Sequence, residues 1–292
     1  MLKIIVPWLL AFRLKTIPAA ISPVLVGTAL ALDNNQIIQW TIFISILISS
    51  ILIQIGTNLS NDLSDFINGA DTNKRLGPIR AAQSGLISVE KLKSAMILSF
   101  GLSMCFGLYL VAVGGYIIVI IGLLSIISGY LYTSGPYPLG YNGLGDIFVF
   151  VFFGLVAVMG TFYLHTSYIN FESLICGMII GSLSTAILVV NNIRDINTDL
   201  KSGKNTLAVI FGLKFSKLEF STLILLPYFL IIYLYFLINN ISIFLAFFTL
   251  PIAFILVYEI YNKTGVELND VLAKTARLLL IFSFIFSFSL IT

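Results

Sequence analysis

The chain has 292 residues, 59% of them hydrophobic and only 10% charged, with a formal net charge of +3 and a mean hydropathy of +1.04. That composition excludes a water-soluble globule. The sequence holds no P-loop, Rossmann fingerprint or nucleic-acid footprint, so no nucleic-acid partner is expected.

In chain order, the opening stretch "MLKIIVPWLLAF" lacks a small-residue cleavage site and runs into "RLKTIP" and a full apolar span. It reads as an interfacial amphipathic lead rather than a signal that is removed. Continuous apolar runs follow at residues 17–33, 40–60, 92–113, 115–133, 147–164, 172–191, 219–238, 241–260 and 271–291. Each is near the roughly 20 residues that carry a helix across about 30 Å of hydrocarbon. Their continuity favours helices over the alternating pattern of a barrel. The expectation is an all-α polytopic membrane protein of about nine transmembrane helices, forming one domain over residues 1–292.

Every Lys and Arg falls before the first span, between the second and third, between the sixth and seventh, or near the start of the ninth. With nine spans all these positions share one face, which the positive-inside rule makes cytoplasmic. The bacterial inner membrane, with a cytoplasmic N-terminus, fits that orientation. Among the acids, only Asp33 and Glu172 fall on the opposite face.

Two acidic stretches each end an apolar run: "SNDLSDFINGAD" (60–71) and "NNIRDINTDLKSGKNT" (191–206). Asn61 and Asp65 are four apart, as are Asn191 and Asp195, and Asp199 lies one more helical turn on. That spacing stacks oxygen donors on one helix face. A single such cluster is ordinarily a solvated loop, but two at matching positions point to chemistry. Each follows the second span of a four-span block, which suggests two related four-helix halves plus a ninth helix. Magnesium takes hard oxygen ligands together with phosphate oxygens, and neighbouring Arg and Lys would hold the remaining phosphate charge. The composite reads as a magnesium diphosphate site at a membrane face.

These segments resemble the UbiA superfamily of intramembrane aromatic prenyltransferases, and within it the naphthoate branch. "NDLSDFINGAD" and "NNIRDINTDLKSGKNTLAV" are similar to its two Asp-rich motifs. "RLKTIPAAISPVLVGTAL", "GPIRAAQSGLIS" and "YTSGPYPLGYNGLGDIFVFVFFGLVAVMGTFYL" also resemble stretches typical of it, covering about residues 13–212, with a weaker echo in "LAKTARLLL". In the benzoate branch the last Asp of the first motif usually comes four residues after the middle one. Here Gly69 occupies that place and Asp71 comes later, which suits the naphthoate pattern.

The resemblance implies transfer of a polyprenyl group from polyprenyl diphosphate to 1,4-dihydroxy-2-naphthoate, with loss of carbon dioxide and diphosphate. It implies Mg2+ held by Asn61, Asp65, Asp71, Asp195 and Asp199, the four aspartates being the catalytic set. Lys74, Arg75, Arg80, Arg194, Lys201 and Lys204 are the candidates for diphosphate binding. Asn192, Tyr132, Tyr137 and Asp146 are those for the acceptor and prenyl pocket. The alternative for Asp146 is a helix cap, and for the tyrosines an interfacial belt. The loop "GPYPLGYNGLGD" reads as a structured turn or a cap over the substrates. His165 falls on the far side, and Cys105 and Cys176 read as apolar fillers. A cation-coupled carrier would place acids mid-span, where this chain has almost none. A related enzyme acting on another aromatic acceptor remains the nearer alternative, and the sequence leaves oligomeric state open.

Overall fold

The computed structural model describes residues 2–34, 37–69 and 76–292. Among them the regular structure is entirely helical: α1 (Leu2–Phe12), α2 (Pro18–Asp33), α3 (Trp40–Ile67), α4 (Val89–Gly114), α5 (Tyr116–Leu131), α6 (Gly145–Val149), α7 (Ala157–Thr166), α8 (Phe171–Lys201), α9 (Leu207–Ile238), α10 (Leu250–Asn262) and α11 (Leu268–Ile291). A π-helical segment, Phe150–Val156, joins α6 to α7, and a 3-10 segment, Ile241–Thr249, leads into α10.

Among the described residues seven helical stretches are long and apolar enough to cross a membrane, and α1 with α2, bent by 48°, makes an eighth. The remaining expected span, 115–133, falls on α5, an apolar helix of 16 residues. The nine expected spans therefore all lie on helices.

Local chemistry sets the helix ends. Ser88 caps α4 by accepting from the Lys91 amide, and Asn170 forms a reciprocal capping box with Ser173 at the start of α8. Gly115, at φ 72°, ends α4 and turns the chain directly into α5. Gly212 breaks the ladder of α9 with a non-helical φ of 81°.

The helix α8 is the axis of the molecule: 83% of its apolar window is buried, against 28–50% for the other full-length spans. It packs along α9, α11 and the π segment, while α3 pairs with α4 and α11 closes against α2. The largest core gathers Ile179, Ile180, Leu183, Phe220, Phe282 and Phe286 from α8, α9 and α11. Lipid offers no hydrophobic gain over such contacts, so close backbone packing has to supply the cohesion. Gly154 shows how: a Cβ there would lie 2.5 Å from the Gly177 carbonyl oxygen and from the Gly181 Cα.

One difference from the hydropathy reading positions the site. Apolar character ends near residues 60 and 191, yet α3 runs on to Ile67 and α8 to Lys201. The first motif is thus helical as far as Ile67 and the second as far as Lys201. Partners from distant segments hold the polar side chains of the first, and mainly neighbours on α8 hold those of the second.

Candidate active site

Asp65 lies on the polar extension of α3 and is buried. Arg80 donates to its Oδ2 at 3.0 Å, while the Tyr141 hydroxyl and the Lys204 ammonium donate to its Oδ1 at 2.8 and 2.9 Å. The Lys204 Nζ also sits 4.5 Å above the Tyr141 ring, a cation–π contact. One turn earlier on α3, Asn61 accepts at 2.8 Å from Thr133.

Arg80 is brought to Asp65 by a neighbour that sequence reasoning did not separate from the motif. The Asp62 carboxylate accepts the backbone amides of Ala81 and Ala82 at 3.0 and 3.3 Å, pinning the segment that carries Arg80. Asp62 thus anchors backbone inside the first acidic motif.

The second cluster is built within α8. Arg194 clasps Asp195 with two donors, Nε at 2.9 Å and Nη2 at 2.5 Å, and gives a further bond to Asn191 at 2.6 Å. Its Nη1 reaches Asn269 on α11 at 2.8 Å, and Asn269 in turn donates to the Leu76 carbonyl at 2.9 Å. Asn269 therefore ties the second motif to the segment that follows the first.

The two clusters share one cavity of about 500 Å³. Asn61, Asp65, Arg80, Asn191, Asn192, Asp195, Asp199 and Lys204 line its polar part. Phe148, Phe152, Phe153, Leu108, Ile118 and Leu123 line its apolar part. Phe148, near the end of α6, and Phe152, in the π segment, stack with centroids 5.8 Å apart.

Tyr132 also lines the cavity. Its phenol hydroxyl lies against the start of α6. Gly145 leaves room for that hydroxyl, since a Cβ there would come within 2.7 Å of it. The loop read as a turn or cap is an ordered turn. Gly140 donates to the Tyr132 carbonyl, and the Tyr141 carbonyl accepts from Asn205 beside Lys204.

Other sequence candidates lie elsewhere. Tyr137 and Lys201 are exposed, and Arg194 is buried against Asp195 behind the cavity wall. Asp146 is buried in the first turn of α6, outside the cavity lining. Asp71, Lys74 and Arg75 fall outside the described residues. His165 stands 3.4 Å from Thr28 on the opposite side of the bundle from the clusters.

A residue missed as a site candidate is Arg13, which lines the cavity. It adopts a left-handed backbone, φ 51° and ψ 59°, between α1 and the turn Leu14–Thr16. A bulky residue held there is uncommon and often functional. Its sequence signal was a lone base at the end of an apolar helix, which served only to orient the chain.

The donor set suits a hard divalent cation. Carboxylates of Asp65, Asp195 and Asp199 and carboxamides of Asn61 and Asn191 face one chamber, and the Lys204 ammonium on Asp65 marks a position that favours positive charge. Among the described residues no three His, Cys, Asp or Glu side chains come together closely enough to hold a metal ion by themselves.

An all-helical intramembrane scaffold with an acid-rimmed, aromatic-walled chamber defines the class of protein. The chain matches the UbiA prenyltransferase family over residues 20–288 and belongs to it. It is 42% identical over 211 residues to the 1,4-dihydroxy-2-naphthoate octaprenyltransferase of Escherichia coli (strain K12), covering 70% of this chain and 68% of that one. The enzyme of the same name from Bacillus subtilis (strain 168) is 36% identical over 202 residues, 69% of this chain and 65% of that one. In fold, a UbiA homolog from Archaeoglobus fulgidus bound to GPP and Mg2+ superposes with a TM-score of 0.72. Its sequence identity is 18%, over 98% of this chain and 99% of that one.

Proposed function

We propose that this protein transfers a polyprenyl group from polyprenyl diphosphate to 1,4-dihydroxy-2-naphthoate, releasing diphosphate and carbon dioxide and giving demethylmenaquinol. The observation that carries the reading is that residues of both acidic motifs, 130 apart in sequence, line a single cavity whose remaining surface is mainly apolar and includes the rings of Phe148, Phe152 and Phe153. The activity for which these relatives are named, at 36–42% identity, supports the acceptor.

The donor's C1–O bond breaks and its electron pair leaves on diphosphate. The naphthoate carbon bearing the carboxylate then bonds to C1, and loss of carbon dioxide from that carbon returns its electron pair to the ring. Arg80 and Lys204, now on Asp65, are placed to turn to phosphate oxygens when the donor enters. Fixed charges aimed at the leaving group stabilise it without reorganisation. Asn61, Asp65, Asp195 and Asp199, with Asp71, would hold Mg2+, which supplies neutralisation of the diphosphate charge. The Phe148 and Phe152 rings shield the allylic cation from water and face it with π density. The tail leaves the chamber along its apolar walls toward lipid.

The mouth of the chamber faces the cytoplasm in this reading, where the bases lie, and the chain forms one domain of two related four-helix halves with a ninth helix. The test is prenyl transfer by purified protein with labelled polyprenyl diphosphate, offered dihydroxynaphthoate and hydroxybenzoate side by side, with and without magnesium. Magnesium-dependent transfer to the naphthoate alone is expected. Transfer to hydroxybenzoate alone would move the protein to another branch.

A further inference from the structure

Among the described residues, two uncharged side chains lining the cavity each hold a buried polar atom with no hydrogen-bond partner. These atoms are the Gln54 amide oxygen and the Ser184 hydroxyl, in side chains that are 7% and 2% exposed. Gln54 lies seven residues before Asn61 on α3, and Ser184 lies seven residues before Asn191 on α8. Both are therefore two turns, about 10 Å, deeper than their clusters. The Gln54 amide nitrogen is committed to Thr16 at 3.2 Å, which fixes its oxygen as the open acceptor.

Leaving such atoms unsatisfied in a low-dielectric site is costly, and few are tolerated in a native fold without a reason. A prenyl tail could not satisfy them. An aromatic ring carrying hydroxyls could, and the same chamber would admit it beside a donor C1 hung from a diphosphate at the clusters, within the roughly 3–3.5 Å that reaction needs. The residues around Gln54 and Ser184 on the wall, Ser50, Ile53, Thr57, Ile187 and Leu188, carry no charge. The groups received there are accordingly neutral hydroxyls.

We propose that Gln54 and Ser184 form the hydroxyl-recognition subsite for the aromatic acceptor, with Gln54 accepting from one ring hydroxyl and Ser184 bonding the other. This rests on the prenyl-transfer reading and extends it to the determinant of acceptor choice.

The test uses full-length enzyme and the variants Ser184→Ala and Gln54→Met. Acceptor KM, donor KM and thermal stability are measured, together with inhibition constants for 1-hydroxy-2-naphthoate and 4-hydroxy-2-naphthoate. Each variant is expected to raise acceptor KM about fivefold, the worth of one neutral hydrogen bond, with donor KM unchanged. Each should also bind one monohydroxy analogue as tightly as wild type does, because the bond that the analogue lacks is already gone. Ser184→Ala loses no bond of the ligand-free protein, so its stability should hold or rise while acceptor affinity falls. Active variants with wild-type acceptor KM and wild-type discrimination between the analogues overturn the subsite alone. A wild-type protein that prenylates no hydroxylated aromatic overturns the functional reading and the subsite with it.

Discussion

Asp65 takes its hydrogen bonds from Arg80, Tyr141 and Lys204, which lie 15, 76 and 139 residues away along the chain. Asp195 is clasped by Arg194, the residue beside it. The first cluster exists only when three loops converge on α3. The second is assembled once α8 forms and needs only Asn269 to hold its outer end. The accessibilities agree: the side chain of Lys204 is 14% exposed and that of Arg80 8%, whereas Arg194 is 1% exposed. In the proposed reaction the more exposed cations of the first cluster change partners when the donor arrives, while Arg194 stays on Asp195.

Removing each carboxylate should separate these roles most sharply. Asp65→Ala and Asp195→Ala are both expected to lower turnover by at least about 100-fold, as loss of a preorganised electrostatic group does. Their stabilities should diverge. Asp195→Ala strands the Arg194 guanidinium in the interior, a loss on the order of 3–5 kcal/mol, whereas Arg80 and Lys204 border the cavity and can relax after Asp65→Ala. Unfolding in detergent measures the difference, and equal destabilisation would break the comparison.

Next in size is Lys204→Met. If Lys204 turns from Asp65 to the diphosphate, the variant should raise donor KM about 10- to 100-fold, the range for a charge-assisted hydrogen bond, and leave acceptor KM alone. A change confined to acceptor KM would assign the lysine to the other substrate.

The same contrast explains what the sequence could reveal. Spans were readable because hydropathy reports burial in lipid directly, and the Asn-x-x-x-Asp spacing was readable because a helix presents such pairs on one face. Helix ends were not. The continuation of α3 past residue 60 depends on Thr133, Arg80, Tyr141 and Lys204 satisfying its polar face, and no local signal announces partners so far away. Asp62 and Asp65 look equivalent in the motif, yet one binds the backbone of Ala81 and Ala82 and the other faces the cavity. Gln54 sits in an apolar run, while Ser184 and Asn269 stand beside other polar residues, and composition alone gives none of them a role.

Asn269 sharpens the comparison from the side of the second cluster. Asn269→Ala removes one bond to Arg194 and one to the Leu76 carbonyl, so a drop of about five- to tenfold in kcat is expected, with acceptor KM unchanged. Asn269→Asp keeps the acceptor for Arg194 and should recover most of that loss. A purely structural asparagine would lower stability in both variants without the selective effect on kcat.

The smallest effect belongs to Tyr141, and it divides the first cluster into its parts. Tyr141→Phe deletes the hydroxyl that donates to Asp65 at 2.8 Å but keeps the ring beneath Lys204 at 4.5 Å. The loss should be about fivefold in kcat/KM for the donor, one ordinary hydrogen bond. Tyr141→Leu removes the ring as well and should cost a further 0.5–2 kcal/mol or so, the worth of a cation–π contact from exposed to desolvated settings. If the two variants behave alike, the ring adds nothing and Lys204 is held by Asp65 alone. If Leu is clearly worse than Phe, the loop carrying Tyr141 steers the lysine, and the convergence of distant segments on α3 tunes the site as well as neutralising its charge.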